Sequence, residues 1–167
     1  MWVALFSNSG NELAEICARL GQWPDKIYVD KVRTAIHPDI ESRATILSHK
    51  EIMQELKEVP NDAYVTLHGY LRIIEDDSIT DNMFNVHPGD IIKYPELIGM
   101  HPQKKAIELK LPSTGVVIHK VTSDLDEGEV QLFVEHEIKD GTDEITLINE
   151  LREVSIKMWL MLLRGKV

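Results

Sequence analysis

Two polar side chains with complementary chemistry stand two residues apart near the middle of the chain, directly before a proline. In an extended strand successive side chains alternate between faces, so Asn85 and His87 point the same way. Pro88 has no N–H to donate to a sheet, so the strand is predicted to end there, at the edge where open α/β sheets bind ligands. An amide beside an imidazole can stabilise a developing oxyanion and transfer a proton, although a single His-Pro sequence more often only ends a strand.

The second chemical feature is the acidic loop TSDLDEGEV, residues 122–130, between two predicted strands. A loop of this composition is usually a solvated turn when it is considered alone. If Asp126 folds back towards His87, its carboxylate would favour the protonated imidazole and keep it ready to donate a proton. The loop therefore acquires a chemical role only if the fold brings it to the end of that strand.

A glycine-containing turn, NSGNEL at residues 8–13, joins the first predicted strand to the first predicted helix. Such a turn presents backbone N–H groups that suit an anion. The segment lacks both the GxGxxG and the Walker patterns, so it is a weak phosphate motif. It also places Glu12 in the first helical turn, where a carboxylate stabilises the helix but would repel a phosphate.

The remaining pattern alternates strand-like and helix-like segments with no linker, repeat or low-complexity tract. This alternation predicts a single α/β domain over residues 1–167. Strands are predicted at residues 2–7, 26–30, 63–69, 83–88, 115–121 and 129–138. Helices are predicted at residues 12–20, 49–59 and 101–110 and from near residue 142 onward, with a short helix or turn at 71–81. Residues 31–48 show no clear pattern.

Local signals define the ends and the buried face of two helices. Ser48 is a predicted N-cap, and Pro60 ends the helix that follows it. Asp143 and Glu144 suit the first turn of the last helix, because the helix macrodipole favours negative charge there. An apolar stripe on that helix is predicted to cover the sheet; it consists of Leu147, Leu151, Val154, Met158 and Met161 or Leu162.

The chain has 167 residues, one cysteine and a formal net charge of −10, from 28 acidic and 18 basic residues. This charge disfavours nucleic acids and anionic membranes as main partners, because both bind basic surfaces. A single cysteine excludes an intrachain disulfide and a cysteine-rich metal site. There is no secretory signal at Met1 and no apolar run that could span a bilayer, so a cytoplasmic protein is expected. The run WLMLL, residues 159–163, is predicted to be a buried helix end or an oligomer contact.

Four segments, in the same order and with compatible spacing, resemble those of the folate-dependent formyltransferase family. The family's Asn-x-His-Pro motif matches residues 85–88, and its Gly-aromatic-Met/Leu-Arg-Ile segment matches residues 69–74. The loop and helix that follow match KYPEL and the stretch to KKAIELK at 104–110. The family's strand histidine and acidic loop match VIHKVTSDLDEGEV, which aligns His119 and Asp126 with the family's strand histidine and catalytic aspartate. The resemblance covers nearly the whole chain and is closest to the glycinamide ribonucleotide transformylases.

The resemblance implies a Rossmann-like, mostly parallel sheet flanked by helices, with an antiparallel C-terminal hairpin. It also implies that Asn85, His87 and Asp126 form the catalytic trio of a one-carbon transferase. The formyl donor would be 10-formyltetrahydrofolate, used as a co-substrate, and no metal would be needed. The acceptor would be the primary amine of a small substrate, with glycinamide ribonucleotide or a related nucleotide of purine synthesis favoured.

The resemblance further implies two groups of binding residues. The folate would contact Leu71, Arg72 and Ile74 and the backbone of Asp124 and Leu125. The acceptor would contact Gly10, Asn11, Glu12 and Glu153. The family's phosphate-binding turn reads Gly-Ser-Asn, whereas this chain has Gly-Asn-Glu at residues 10–12. Whether Glu12 excludes a phosphate-bearing acceptor stays open at this point.

Three other functions are compatible with the same residues. The chain could formylate an amino-sugar nucleotide, or it could be a 10-formyltetrahydrofolate hydrolase that passes the formyl group to water. It could also be a non-catalytic module that binds folate. In each case small molecules are the expected partners, without nucleic acid or membrane, and a homodimer is compatible with the apolar end of the last helix.

Overall fold

The computed structural model describes residues 1–30 and 35–167, which contain a seven-stranded sheet. Its strands are β1 (Trp2–Phe6), β2 (Lys26–Val29), β3 (Ala44–Ile46), β4 (Tyr64–Leu67), β5 (Met83–His87), β6 (Ser113–Lys120) and β7 (Val130–Glu137). Their order across the sheet is β3-β2-β1-β4-β5-β6-β7.

The sheet is mostly parallel. Neighbouring strands from β3 to β5 run parallel, whereas β6 runs antiparallel to both β5 and β7. Parallel neighbours need crossover connections, which place helices on the faces of the sheet. This arrangement confirms the predicted Rossmann-like α/β fold with its antiparallel C-terminal hairpin. It also brings the carboxyl ends of β1, β2, β4 and β5 to one edge of the sheet.

The helices are α1 (Asn11–Leu20), α2 (Pro38–Glu41), α3 (His49–Lys57), α4 (Pro102–Glu108) and α5 (Glu144–Leu163), with 3₁₀ turns at Asp76–Ser78 and Pro95–Leu97. The predicted helices and strands are present, with ends that differ by one or two residues, whereas the short helix or turn predicted at 71–81 is a 3₁₀ turn at Asp76–Ser78 only. None of these helices, within the part of the chain described, is long and apolar enough to cross a membrane.

The segment without a clear sequence pattern contains α2 and β3, which have four and three residues. Elements this short do not complete a recognisable hydrophobic period. Residues 31–34 of that segment lie outside the described residues. At its end Ser48 is the N-cap of α3, as predicted, and forms a reciprocal capping box with Glu51.

Two apolar layers cover the two faces of the sheet. One layer contains the buried faces of α1, α4 and α5, and the other contains that of α3. All five residues of β1 are buried, because alternate residues face the two layers. The stripe on α5 is buried at Leu147, Leu151, Met158 and Leu162 and partly buried at Val154, whereas Met161 is exposed. The run at 159–163 is therefore mainly a buried helix end.

Candidate active site

The fold brings a histidine and an aspartate from distant segments into contact. His87 ends β5, and Asp126 lies in the loop between β6 and β7. His87 Nδ1 is 3.1 Å from Asp126 Oδ2, and both side chains are more than nine-tenths buried. The other ring nitrogen, Nε2, is 2.8 Å from the Leu97 carbonyl oxygen. The predicted return of the acidic loop to the strand end is thus present in the structure.

Asp126 is ionised in this environment. Burial by itself would raise the pKa of its carboxyl. Hydrogen bonds from His119 and His87 outweigh burial, and the charge of His87 and the Gly99 N–H act in the same direction, so the pKa of Asp126 lies well below its usual range. A carbonyl oxygen can only accept hydrogen bonds, so His87 Nε2 donates to Leu97, while Nδ1 lies against the Asp126 carboxylate. The two residues therefore form a buried histidine–carboxylate pair.

Asn85 lies beside this pair, on the same side of β5. Its Nδ2 is 3.4 Å from Asp126 Oδ1 and 3.3 Å from His119 Nε2. His119 is the residue opposite Asn85 in the antiparallel register of β5 and β6, and its Nδ1 donates to the Lys120 carbonyl oxygen at 2.8 Å. These contacts hold the amide of Asn85 in one orientation next to the ion pair. The structure brings the predicted catalytic trio together.

A cleft that is open to solvent adjoins the trio. Its lining includes Asn85 and Asp126 from the trio and four of the predicted folate-binding residues: Arg72, Ile74, Asp124 and Leu125. The fifth predicted folate-binding residue, Leu71, lies beside the cleft with its side chain about half exposed. Apolar walls with a few polar groups are typical of cofactor sites, and this cleft has that composition.

Arg72 is anchored at the rim of the cleft by a buried carboxylate. Its Nε is 3.1 Å from Asp30 Oδ2, and Asp30 also accepts a hydrogen bond from the Ser7 hydroxyl. The Ser7 oxygen in turn accepts from the Leu71 N–H at 2.9 Å. These bonds tie the segment after β4 to the carboxyl ends of β1 and β2, so the cleft wall is held by the sheet itself.

The predicted acceptor residues lie in two places. Gly10, with a positive φ of 71°, is the N-cap of α1, and Asn11 and Glu12 form the first helical turn. This turn follows β1, two strand positions from the catalytic pair, which corresponds to about 10 Å across the sheet. Glu153 lies on α5, where both of its oxygens accept hydrogen bonds from Arg19. Glu153 is thus already paired in the free protein.

Comparison with known proteins identifies the family. A family model described as formyl transferase matches residues 14–163. The chain belongs to the formyl transferase family. The match includes β5, the acidic loop and the segment after β4, so it spans all three residues of the predicted catalytic trio. The resemblance read from the sequence motifs is confirmed.

This formyl transferase is similar to curated proteins of purine synthesis. It is 30% identical over 112 residues to phosphoribosylglycinamide formyltransferase of Escherichia coli (strain K12), a match that covers 64% of this chain and 51% of that protein. It is 28% identical over 118 residues to trifunctional purine biosynthetic protein adenosine-3 of Drosophila pseudoobscura pseudoobscura, covering 69% of this chain and 8% of that protein. The matches thus span about half or less of the length of these relatives.

Solved structures show the same fold over the full length of the chain. Phosphoribosylglycinamide formyltransferase from Bacillus halodurans superposes with a TM-score of 0.81 and 22% identity, covering 100% of this chain and 97% of that chain. Glycinamide ribonucleotide transformylase 1 from Geobacillus kaustophilus superposes with a TM-score of 0.79 and 23% identity. The match covers 98% of this chain and 96% of that chain. At these identities the likeness supports the fold.

Two contributions to the candidate site come from backbone atoms that the sequence did not predict. The Leu97 carbonyl oxygen accepts from His87, and the Gly99 N–H donates to Asp126 Oδ2 at 3.2 Å. Both belong to the loop between β5 and α4. Gly99 has a φ of 82°, a conformation that favours glycine. A glycine in that loop was the available signal, but backbone donors and acceptors carry no residue type that would reveal their role.

The loop that carries Asp126 also depends on a close backbone approach at Gly128. A Cβ there would overlap the Lys120 carbonyl oxygen. Gly128→Ala is expected to cost about 1–3 kcal/mol of stability through overpacking and to shift Asp126, lowering kcat/KM. Thermal unfolding and the formyl transfer rate measure the two effects.

Gly141→Ala is the matched control for this change. Gly141 has a φ of 81°, and a Cβ there meets nothing within 4 Å, so the variant carries only backbone strain of about 1–2 kcal/mol. We expect similar instability with unchanged kcat/KM. Equal activity in the two variants would show that the position of Asp126 does not depend on Gly128.

Proposed function

We propose that this formyl transferase moves the formyl group of 10-formyltetrahydrofolate to the primary amine of a small substrate, with glycinamide ribonucleotide or a related nucleotide as the acceptor. The observation that supports this most directly is the buried His87–Asp126 ion pair, which lies beside Asn85 at a cleft lined by the predicted folate residues. Asn85 can donate a hydrogen bond to an oxyanion, and His87 beside it can supply a transferable proton.

The reaction assigns one task to each catalytic residue. The acceptor amine attacks the formyl carbon, and a C–N bond forms while negative charge develops on the formyl oxygen. The amide of Asn85 donates a hydrogen bond to that oxygen, which typically contributes about 10²–10³ in rate. The bond from the formyl carbon to the folate nitrogen then breaks, and that nitrogen receives a proton from His87.

Asp126 completes the proton balance. As a carboxylate it stabilises the charged His87 before transfer, and directly or through water it accepts the proton that the attacking amine must lose. Movement of that proton from Asp126 back to His87 restores the imidazolium–carboxylate pair. The sequence of steps thus ends with the same charges that it began with.

The cleft supplies groups suited to the folate. Ile74 and Leu125 provide apolar surface for a flat ring, and the backbone of Asp124 can hydrogen-bond to its polar edge. Arg72, held by Asp30, places a positive charge at the rim where an anionic part of the folate can lie. When bound, 10-formyltetrahydrofolate supplies the activated formyl group; the protein supplies position, charge and protons.

The acceptor assignment rests on the relatives and on the α1 turn. The E. coli and Bacillus halodurans relatives are phosphoribosylglycinamide formyltransferases. At Gly10 and Asn11 the turn offers the N-terminus of a ten-residue helix, where a phosphate is favoured. Glu153 is partly exposed beside Arg19, and its carboxylate has further lone pairs that can accept a hydrogen bond from the acceptor. We also propose that the protein is cytoplasmic and forms a homodimer.

A direct assay tests this function. The protein is mixed with a stable 10-formyl folate analogue, and release of the deformylated folate is followed spectroscopically with a panel of amines and a water-only control. Release that requires glycinamide ribonucleotide is the expected result. Release with an amino-sugar nucleotide alone would change the acceptor, and release in water alone would identify a hydrolase. Analogue binding without release under any condition would contradict catalysis.

A further inference from the structure

A row of buried polar side chains behind the α1 turn has no role in the proposed chemistry. Trp2 Nε1 donates to Thr66 Oγ1 at 2.9 Å, and the same oxygen is 2.8 Å from His68 Nε2. The side chain of His68 is completely buried, and its Nδ1 has no hydrogen-bond partner among the described residues. That nitrogen lies 3.8 Å from Glu12 Oε1. The row therefore leads from the core to the carboxylate at the turn.

The donors and acceptors available in this row indicate which nitrogen of His68 carries a proton. Trp2 Nε1 can only donate, so the Thr66 oxygen acts as its acceptor, and the Thr66 hydroxyl proton can be donated to His68 Nε2. A ring that accepts this proton on Nε2 carries its own proton on Nδ1, the nitrogen that faces Glu12. The other neutral tautomer would place a lone pair opposite a carboxylate, which is repulsive. The donating end of His68 therefore points at Glu12.

A second donor reaches the same carboxylate oxygen from α5. Ser155, which is buried, donates from its hydroxyl to Glu12 Oε1 at 3.1 Å. The ring of His68 lies against that of Trp159, with centroids 4.8 Å apart, which limits rotation of the imidazole. The Glu12 carboxylate is thus drawn between α1, α5 and the end of β4. Donors on that inner side compete with the backbone N–H groups that begin α1 for the carboxylate.

We propose that Ser155 and His68 are positioning residues that hold the Glu12 carboxylate away from the phosphate-binding N–H groups of the α1 turn. This inference rests on the proposed function, in which a phosphate-bearing amine binds at that turn. A free carboxylate one residue from Asn11 would either occupy the phosphate site or repel a phosphate bound there. Like charges at hydrogen-bonding distance repel each other strongly. With Glu12 directed inward, the helix terminus is left for the phosphate. The turn can thus bind a phosphate although it contains Glu12.

Binding measurements without folate test the inference independently of catalysis. Titration calorimetry compares glycinamide ribonucleotide with its dephosphorylated riboside on the wild-type protein and on Ser155→Ala. We expect Ser155→Ala to weaken binding of the ribonucleotide about tenfold, because the released carboxylate approaches the phosphate, and to change binding of the riboside less than twofold. Thr66→Val, which removes the hydroxyl that sets the His68 tautomer, is expected to act in the same direction.

A charge-removing variant supplies the decisive comparison. Glu12→Gln in the Ser155→Ala background is expected to restore ribonucleotide affinity, since no carboxylate remains to be released. Ser113→Ala is the matched control; it removes a serine–glutamate hydrogen bond of 2.9 Å to Glu135, on the β6–β7 hairpin. That variant should leave both affinities unchanged.

Several results would overturn the positioning role. These are an unchanged ribonucleotide affinity in Ser155→Ala, equal weakening of both ligands, or no recovery with Glu12→Gln. Wild-type protein that binds the riboside as tightly as the ribonucleotide would also overturn it, because the turn would then not take the phosphate. Failure of the proposed function is a different outcome: tight, phosphate-dependent binding without formyl transfer.

Discussion

Replacing His87 by alanine is expected to lower kcat/KM for formyl transfer by about 10²–10⁴, the usual contribution of a positioned general acid. The imidazolium supplies the proton that the departing folate nitrogen needs, and Asp126 and the Leu97 carbonyl oxygen hold the ring in place. Affinity for a folate analogue should change little, because the apolar contacts proposed for the folate ring come from Ile74 and Leu125, which the variant keeps. Steady-state kinetics with glycinamide ribonucleotide and analogue titration measure the two effects.

Two further variants separate chemistry from folding in this experiment. Alanine at position 87 leaves the charge of Asp126 buried with fewer partners, so thermal unfolding must be measured beside the rate. His87→Gln keeps a hydrogen-bond donor but has no transferable proton, and it should be as inactive as the alanine variant. His136→Ala removes a histidine that pairs with Glu150 on β7 and α5, and it should keep normal activity. Near wild-type turnover in His87→Gln would show that His87 is not the proton donor.

Asp126→Asn is expected to lower kcat by about 10²–10⁴, because an amide neither stabilises the imidazolium nor accepts the proton of the amine. Asp126 has a φ of 56°, in the left-handed region, which asparagine tolerates better than most residues. The substitution therefore changes charge with little change in backbone or volume. Asp140→Asn, on an exposed position, is the control for loss of one carboxylate and should be fully active.

The acid titration of Asp126 is a separate expectation from the structure. Its pKa lies below the ordinary range, because hydrogen bonds from His119 and His87 outweigh burial. A folded pKa below the unfolded value means that the unfolded chain binds the proton first as pH falls. Asp126 therefore contributes stability above about pH 4, the ordinary value, which is lost as pH falls through its lower folded pKa.

Carbon-13 NMR of labelled aspartate carboxyls measures this titration directly. The Asp126 resonance is identified by its absence from Asp126→Asn, and a short aspartate-containing peptide in the same buffer provides an ordinary carboxyl. We expect Asp126 to remain ionised at pH values where the peptide carboxyl is already half protonated. Simultaneous titration of the two carboxyls would contradict the buried ion pair.

Much of the fold followed from the sequence because the signals are local. Hydrophobic period separates strands from helices, and each period is complete within a few residues. The pairing of Asn85 with His87 on one face, and the strand end at Pro88, depend only on the geometry of an extended chain. The capping box at Ser48 is equally local, since its partner is three residues away. By contrast, α2 and β3 were not predicted, because they are too short to show a period.

Contacts between residues far apart in the sequence could be seen only in the tertiary structure. Asp126 lies 39 positions from His87, and only the pairing of β5 with β6 brings the two side chains within 3.1 Å. Resemblance to a family suggested that meeting, but no local rule predicts it. The backbone atoms of Leu97 and Gly99 complete the site without any side chain that a sequence pattern could register.

The direction of Glu12 shows the same division most clearly. From the sequence, a carboxylate in the first turn of α1 predicts repulsion of a phosphate. In the folded chain its carboxylate accepts from Ser155, which lies 143 positions away, and faces His68 at the end of β4. Local residue pattern was enough to predict which residues stand at the turn and which elements carry them. The packing of α5 and β4 against α1 decided where the charge points, because a side-chain direction depends on partners that only the tertiary fold assembles.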